Sequence, residues 1–272
     1  MGFLVIRRDT VTKVHLSEIH TLMVESTAVS LTAALLQELV NHKIKVIFCD
    51  EKRNPSSELI PYYGSHDTSR KVRNQIAWTE DIKTAVWTEI VSEKIRNQMA
   101  VLEDQGHIES KLLQQYIEEL QFGDESNREG HAAKVYFNAL FGKDFSRSSD
   151  NSTNAALNYG YSLILSAFNR EVSANGYLTQ LGIFHDNMFN HFNLSCDLME
   201  PFRILVDRMV CSANMTRFEK EEKHYMWGLL DQKVIIDGQN QFVLNAIKIY
   251  TRSVFDAMND KDSSKIKFYS LM

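Results

Sequence analysis

The placement of the prolines constrains the fold of this chain more than any other feature of its sequence. The 272 residues include three prolines, Pro55, Pro61 and Pro201, so residues 62–200 form one long proline-free stretch. Proline breaks helices and is common in turns. The sequence therefore predicts long helices over most of the chain, and it argues against a turn-rich β-sandwich or a disordered linker protein.

The beginning of the chain has a pattern that differs from the rest. Short runs rich in β-branched and aromatic residues predict strands, and one amphipathic helix, capped by Ser30, extends to about Val40. Helical patterns dominate after that. We therefore predict an α+β fold, with a small N-terminal β-rich domain over residues 1–64 and a larger all-helical domain over residues 65–272. The predicted strands are residues 3–7, 11–16, 21–24, 46–49 and 59–62, the last following a turn at 54–57.

The second domain is expected to be a bundle of helices. Residues 152–175 are apolar almost all round, which predicts that this helix lies at the centre of the bundle. A minor hairpin is expected around Asp237 and Gly238, and residues 261–272 are expected to be mobile. The predicted helices are 68–103, interrupted or bent near Thr79, then 108–122, 126–141, 152–175, 196–212, 217–230 and 244–259.

The composition is that of a globular protein without a membrane segment. Hydrophobic residues make up 44% of the chain, which is enough to bury a sizeable core. No apolar run approaches the ~18 residues that a membrane-spanning helix needs. The apolar run Phe3–Ile6 meets Arg7 too soon for a signal peptide, so we expect a cytoplasmic protein with no membrane partner.

The distribution of charge argues against a general nucleic-acid-binding protein. Residues 71–199 contain 17 acidic and 11 basic residues, an excess of six acids, whereas nucleic-acid-binding domains are normally basic. The excess leaves room for a metal site, or for a partner that supplies the positive surface. No phosphate-binding loop or serine-hydrolase motif is present.

The first candidate for chemistry is the segment Ser126–His131, which begins a predicted helix. One interpretation is a capping box, in which Ser126 caps the helix and Glu129 reaches back to the backbone N–H of Ser126. The other is that Glu129 is a metal ligand or an acid–base group, because the first turn of a helix holds a carboxylate rigidly. The spacing alone leaves both interpretations open.

The second candidate is the segment Asp197–Arg203. Asp197 and Glu200 are three residues apart, which places both carboxylates on one face of a helix start. They either complement the helix dipole or hold a divalent cation. His185 and His191 precede this face in a segment that resembles a loop, although none of the nine histidines has a recognised ligand spacing.

Several motifs resemble the CRISPR-associated integrase family known as Cas protein one, and specifically its type II branch. The resemblance covers nearly the whole chain, in order. The matching segments are Ser126–Phe137, Leu140–Gly142 with Asp144–Arg147, Asn154–Tyr161, Gly182-x-x-His185, Ser195–Arg203 with Val206-Asp207, and, near the N-terminus, His15–Ile19, Val46–Asp50 and Pro61–Gly64.

The resemblance implies a metal-dependent DNA integrase and endonuclease that inserts captured DNA into the repeat array. It implies that Glu129, His185 and Glu200 are the catalytic metal ligands, with Asp197 as a supporting carboxylate. Two carboxylates and one neutral imidazole suit Mg²⁺ or Mn²⁺. The implied partners are double-stranded DNA, both captured spacer precursor and repeat, and the small CRISPR-associated partner dimer. The N-terminal domain would form the homodimer.

Basic residues near these motifs are candidates for phosphate contacts. Lys143, Arg147, Arg203 and Arg208 are assigned this role, although clusters of this kind often form an ordinary solvated face. Two other functions remain open. One is a non-catalytic scaffold that positions DNA and has a vestigial metal site, and the other is a repair nuclease that acts without a CRISPR partner.

Overall fold

The structure is a computed structural model that describes residues 2–62, 65–213 and 215–272. It divides into two compact units, Met1–His66 and Asp67–Met272. The first contains short strands and one helix and the second is mostly helical, which confirms the predicted α+β class. The boundary predicted after residue 64, and the end of the motif at 61–64, fall on Tyr63 and Gly64, which lie outside the described residues.

Two small sheets form the first unit. One is an antiparallel hairpin, and the other has three strands in the order β3-β4-β5, with β3 parallel and β5 antiparallel to the central strand. A helix connects the two parallel strands. The elements are β1 (Phe3–Arg7), β2 (Val11–His15), β3 (Thr21–Val24), α1 (Ala33–Asn41), β4 (Lys45–Cys49) and β5 (Pro55–Leu59).

The core of the first unit is small and aliphatic. Leu4, Leu16, Leu39, Ile44 and Val46 form one buried cluster, so the hairpin, the helix and the central strand all contribute to it. Burying side chains of this size stabilises a fold by about 1.5–3 kcal/mol each. The helix begins after Thr32, whose hydroxyl accepts from the N–H of Leu35, and not after the predicted cap, Ser30.

The strand predicted at residues 59–62 was placed too late. It covers Pro55–Leu59, and the turn before it is closed by Asp50, whose carboxylate accepts from the N–H of Asn54 at 2.8 Å. Proline lacks the N–H that a ladder uses, but it is tolerated as the first residue of an edge strand. Strand β5 is an edge strand and Pro55 is its first residue, so the predicted turn at 54–57 overlaps the start of this strand.

The second unit consists of nearly all the predicted helices and one small sheet. In the described part of the chain, no helix is both long enough and apolar enough to cross a membrane, as expected. The unit comprises α2 (Thr68–Ile76), α3 (Glu80–Asp104), α4 (Ser110–Glu118), α5 (Arg128–Phe141), α6 (Ser152–Ala174), α7 (Asn193–Met199), α8 (Arg203–Ala213), α9 (Lys220–Trp227), β6 (Lys233–Ile236), β7 (Gln239–Phe242), α10 (Val243–Asp260) and β8 (Tyr269–Ser270).

Two long helices lie at the centre of the second unit. The prediction for α6 is confirmed, since Leu157, Ile164 and Phe168 are fully buried. The helix α3 is as deeply buried, although its sequence did not single it out. The interruption predicted near Thr79 is confirmed, since α2 ends at Ile76 and α3 begins at Glu80, after Thr79 in an extended conformation (φ −77°, ψ 156°).

The C-terminal residues are ordered, and the expectation that they are mobile was wrong. Strand β8 pairs with β6, so the predicted hairpin of β6 and β7 becomes a three-stranded sheet and the unit is not wholly helical. Tyr269 anchors the segment, since its ring is 2% exposed and its hydroxyl donates to the backbone carbonyl of Pro201 at 2.8 Å. A buried aromatic ring whose hydroxyl is hydrogen-bonded holds a chain terminus in place. The polar residues around Tyr269 in the sequence suggest mobility, but they do not decide it.

Gly160 allows α6 to pack closely against α8. A Cβ atom at this position would collide with the side chains of Val206 and Met226. We therefore expect Gly160→Ala to lower the free energy of unfolding by about 1–3 kcal/mol, because overpacking outweighs the gain in helix propensity. Gly228→Ala is the matched control, since a Cβ there meets nothing within 4 Å. Urea unfolding of both variants checks this, and equal stability would contradict the close packing.

Candidate metal centre

The two glutamates predicted as metal ligands lie on either side of one lysine ammonium group. Nζ of Lys94, in the middle of α3, donates to Oε2 of Glu200 at 2.5 Å and also to Oε1 of Glu129. The side chains of Lys94 and Glu200 are 10% and 4% exposed, so this ion pair is buried. Arg203 donates to the second oxygen of Glu200 at 2.9 Å.

These buried groups remain charged because they neutralise one another. Burial alone would lower the pKa of Lys94, but the Glu200 and Glu129 carboxylates raise it above its ordinary value. Burial alone would raise the pKa of Glu200, but Lys94 and Arg203 hold it below its ordinary value. The cluster is therefore one lysine ammonium and one guanidinium against two glutamates, with a net charge of zero.

Glu129 reaches this cluster because other residues cap its helix. Asn127 is the cap of α5, in the left-handed conformation (φ 53°), and its side chain accepts from the N–H of Gly130. Asp124 accepts from the N–H groups of Arg128 and Glu129 at 2.6 and 3.0 Å. The capping-box interpretation is therefore wrong, since Glu129 does not have to satisfy its own helix end and turns toward α3.

Glu200 is positioned by a break between two helices. The single helix predicted at residues 196–212 is α7 and α8, joined by a short 3₁₀ helix at Glu200–Phe202. Pro201 has no N–H to donate to an α-helical bond, which favours a break here. The carbonyl of Pro201 accepts from Asn97 on α3 and from Tyr269, and these bonds fix the backbone beside Glu200.

Asp197 organises the loop that carries His185. Its carboxylate is fully buried and accepts from the N–H groups of Ile183, Phe184 and His185 at 2.6, 3.0 and 3.1 Å. It also lies 2.5 Å from Nδ1 of His185. These bonds occupy both carboxylate oxygens, so Asp197 holds the histidine and its loop in place. The helix-dipole interpretation of Asp197 is wrong, because Asp197 lies near the end of α7 and not in its first turn.

The same contact sets the orientation and the proton affinity of His185. Because Asp197 accepts the hydrogen bond, Nδ1 carries the proton and Nε2 is the nitrogen that remains for a ligand. The hydrogen bond to Asp197 raises the pKa of His185 against the opposing effect of burial. The charges of Glu200 and Glu129 raise this pKa further, which shows that His185 lies within electrostatic reach of both glutamates.

The donor set, two carboxylates and one imidazole, has the ligand chemistry that a divalent cation such as Mg²⁺ or Mn²⁺ accepts. Within residues 2–62, 65–213 and 215–272, no three His, Cys, Asp or Glu side chains are already arranged around a point that an ion could occupy. The position shared by Glu129 and Glu200 is taken by the ammonium of Lys94, so these carboxylates do hold a cation. A histidine whose Nδ1 is bound to a carboxylate is the common form of a metal-ligating histidine.

Comparison with known proteins identifies the family. The family model for the CRISPR associated protein Cas1 matches residues 2–227. The chain belongs to the Cas1 family. The CRISPR-associated endonuclease Cas1 of Neisseria meningitidis serogroup C (strain 8013) is 33% identical over 265 residues, which cover 95% of this chain and 87% of that relative.

Two solved structures share the fold of this Cas1-family chain. A casposase bound to integration product has a TM-score of 0.74 at 18% identity, covering 91% of this chain and 81% of that one. A Cas6-RT-Cas1–Cas2 complex has a TM-score of 0.73 at 21% identity. That match covers 97% of this chain but only 34% of the chain in the complex. The type II branch is not tested by these comparisons and stays a prediction.

The predicted phosphate-contact residues are not all in one place. Arg147 and Arg203 lie over the ring of Tyr161, 5.3 and 5.1 Å from its centroid, so these two are neighbours of the Glu200 cluster. The guanidinium of Arg208 lies 3.9 Å from Asp104 instead. Lys143 lines a separate cavity of about 560 Å³, beside the half-buried Cys211.

Sequence reasoning missed Lys94, the residue that joins the two glutamates. The available signal was a lysine on the same apolar stretch as Val91 and Ile95, within a predicted long helix. A lysine in such a position is rarely buried without a carboxylate partner. The sequence does not say which carboxylate, since Glu129 and Glu200 are 35 and 106 residues away.

Asp207 is a further buried carboxyl group in this member of the Cas1 family, besides Asp197 and Glu200. It is 2% exposed and accepts from the hydroxyl of Tyr161 at 2.5 Å. Burial raises the pKa of Asp207 from 3.8 to about 6, although the hydrogen bond from Tyr161 and the charge of Arg203 act in the opposite direction. Asp207 therefore keeps its proton in the folded protein over a pH range in which it is ionised in the unfolded chain.

This pKa predicts a pH dependence of stability. Between pH 3.8 and about 6 the folded protein binds one more proton at Asp207 than the unfolded chain, so this residue's contribution to stability falls as pH rises. The slope is ~1.4 kcal/mol per pH unit, or roughly 3 kcal/mol over the range. Asp207→Asn cannot titrate, so between pH 4.5 and 6.5 the wild type should lose about 2 kcal/mol relative to the variant. Urea unfolding at pH 4.5, 5.5 and 6.5 measures the difference, and parallel profiles would contradict it.

Proposed function

We propose that this protein is a metal-dependent DNA integrase and endonuclease of CRISPR adaptation. The observation that carries the proposal is the cation site: Glu129 and Glu200 share one positive charge in a buried position, near a histidine that Asp197 orients through Nδ1. The endonuclease name of the Neisseria relative and the integration product bound to the casposase support the same activity.

The proposed reaction is a direct transesterification. The 3′-hydroxyl of the captured DNA attacks a phosphodiester of the repeat in line, forming a new P–O bond while the bond to the leaving 3′-oxygen breaks. The attacking hydroxyl releases its proton to solvent, and the leaving oxygen takes up a proton. Water in place of the hydroxyl gives hydrolysis, so the same site acts as a nuclease.

The residues divide into ligands and supports. Glu129, Glu200 and Nε2 of His185 would hold Mg²⁺ or Mn²⁺, which neutralises charge that develops on the phosphate and its attacking and leaving oxygens. Asp197 keeps the imidazole in one tautomer and one orientation. Arg203 and Arg147, which both lie over the ring of Tyr161, would bind phosphate groups of the DNA next to these ligands.

The proposed substrates and partner follow from the same family. Captured spacer precursor and repeat would both be double-stranded DNA, and a small partner dimer would join the assembly. The name of the Cas6-RT-Cas1–Cas2 complex states a Cas2 partner for its own chains, which supports Cas2 as this partner. A partner of this kind would supply positive surface that residues 71–199, with their excess of acids, lack. We propose the type II branch on the motifs quoted above.

The activity is tested by strand transfer into a repeat-bearing plasmid, with Mn²⁺ or Mg²⁺ and with or without Cas2. Glu129→Gln, His185→Ala and Glu200→Gln should each reduce integration by at least ~100-fold, because each removes one donor from the proposed ion site. Circular dichroism should show a folded protein in each case. Glu119→Gln is the control, since Glu119 also pairs with an arginine, Arg128, but lies outside the cluster.

Three results would decide against the proposal. Integration at the wild-type rate by Glu129→Gln would remove the ion site from the chemistry. If branched DNA is nicked neither with Mn²⁺ nor with a chelator, the result would instead favour a non-catalytic scaffold that positions DNA. Activity that needs neither Cas2 nor a repeat sequence would favour a repair nuclease that acts alone.

The first unit is proposed to form a homodimer. The hairpin of β1 and β2 exposes apolar side chains, with Phe3 54% and Val11 62% exposed, and two-stranded sheets are rarely stable without cover. We expect a dimer by light scattering at tens of micromolar, and we expect the double variant Phe3→Ser with Val11→Ser to shift it toward the monomer. A wild-type monomer at that concentration would contradict the assignment.

A further inference from the structure

Lys94 occupies the position between the two proposed ligands, and no part of the proposed reaction uses it. We propose that Lys94 is an internal counter-ion that competes with the divalent cation, so that the ion binds only by displacing the ammonium group from Glu129 and Glu200. This inference rests on the proposed function, because it requires that the ion binds to these two carboxylates.

The first argument is geometric. Nζ of Lys94 contacts one oxygen of each glutamate, at 2.5 Å for Oε2 of Glu200. A Mg²⁺ ion on these oxygens would lie about 2.0–2.1 Å from each. An ion bound to the same two oxygens on the side that Nζ occupies would overlap the ammonium nitrogen, so the two cations cannot share this position.

The second argument is electrostatic. Lys94 and Arg203 balance Glu129 and Glu200, so the cluster is neutral as the structure shows it. A divalent ion added to this neutral set would bring two uncompensated positive charges into a buried site. Displacing the ammonium group into solvent or toward the substrate phosphate removes one of them. Lysine suits this role because its charge is carried on a flexible four-carbon stem.

The third argument concerns the protein without the ion. Without Lys94, Glu129 and Glu200 would face each other with only Arg203 to compensate them, and burying an uncompensated carboxylate is costly. Lys94 therefore stabilises the ion-free protein and weakens ion binding by the same contacts. Replacing a competing cation should therefore lower the stability of the ion-free protein and tighten ion binding. Replacing a residue that only fills space would not tighten ion binding.

The test compares Lys94→Met with Lys94→Arg and with the control Lys83→Met. Lys83 lies on the same helix and donates to Glu80 at 2.9 Å, outside the cluster. Titration calorimetry with Mn²⁺ should show at least tenfold tighter binding for Lys94→Met, wild-type affinity for Lys83→Met, and no gain for Lys94→Arg, which keeps the charge. The ion-free melting temperature should fall in Lys94→Met alone, and saturating Mn²⁺ should recover it.

A second measurement uses the wild-type protein, in case Lys94→Met does not fold without the ion. Acetylation of lysines by an amine-reactive ester, read by mass spectrometry, reports the exposure of each ammonium group. Lys94 is 9% exposed and should be protected without an ion. Saturating Mg²⁺ should raise its labelling several-fold while Lys83 does not change.

The outcomes separate this inference from the function on which it rests. Unchanged affinity in Lys94→Met, or Lys94 that stays protected at saturating Mg²⁺, would overturn the competition while the ion site stands. Wild-type protein that binds no Mn²⁺, with no difference from Glu129→Gln, would remove the ion site and the competition together. Weaker binding in Lys94→Met would show that the ammonium group supports the ion, which is the opposite of the proposal.

Discussion

The buried ion cluster around Lys94 constrains how the helices of the second unit pack together. Burying a lone ammonium or carboxylate is costly, so the three elements that carry Lys94, Glu129 and Glu200 must meet within hydrogen-bond distance. Helix α3 supplies the lysine from the centre of the bundle. The start of α5 and the break before α8 supply the carboxylates, so each glutamate lies where a helix begins and its backbone is firmly held.

The supports behind these side chains are polar contacts from distant parts of the chain. Asp197 binds three consecutive N–H groups and the imidazole of a loop, and Asp124 binds the N–H groups that begin α5. The carbonyl of Pro201 holds Tyr269, near the end of the chain. Each of these acceptors binds donors that would otherwise lack a hydrogen-bond partner. The bonds therefore hold the site in place where its secondary structure is interrupted.

The sequence predicted the parts of this arrangement that depend on local pattern. The proline-free stretch and the apolar periodicity gave the helices and the α+β class, and the motifs gave the family and the two glutamates. Local pattern failed where a distant contact decides. Glu129 has the spacing of a capping box but turns to Lys94 on another helix, and Tyr269 has polar neighbours but is buried against Pro201. No pattern along the chain specifies contacts at separations of this kind.

The excess of acids between residues 71 and 199 is a second feature that the sequence alone does not interpret, because it does not show which charges are paired or buried. Net charge along a segment indicates a binding partner only if the charges face solvent. Here Glu129 pairs with Lys94, and Asp197 accepts hydrogen bonds from the loop of His185. Glu171, which is 3% exposed, pairs with Arg170. Because Lys94 and Arg170 are themselves among the basic residues of this segment, the two ion pairs leave the excess of acids unchanged, and only Asp197 reduces it. A divalent ion between Glu129 and Glu200 would make the local charge positive at the point where a phosphate must bind, so an acidic segment and a DNA-binding function are compatible in this protein.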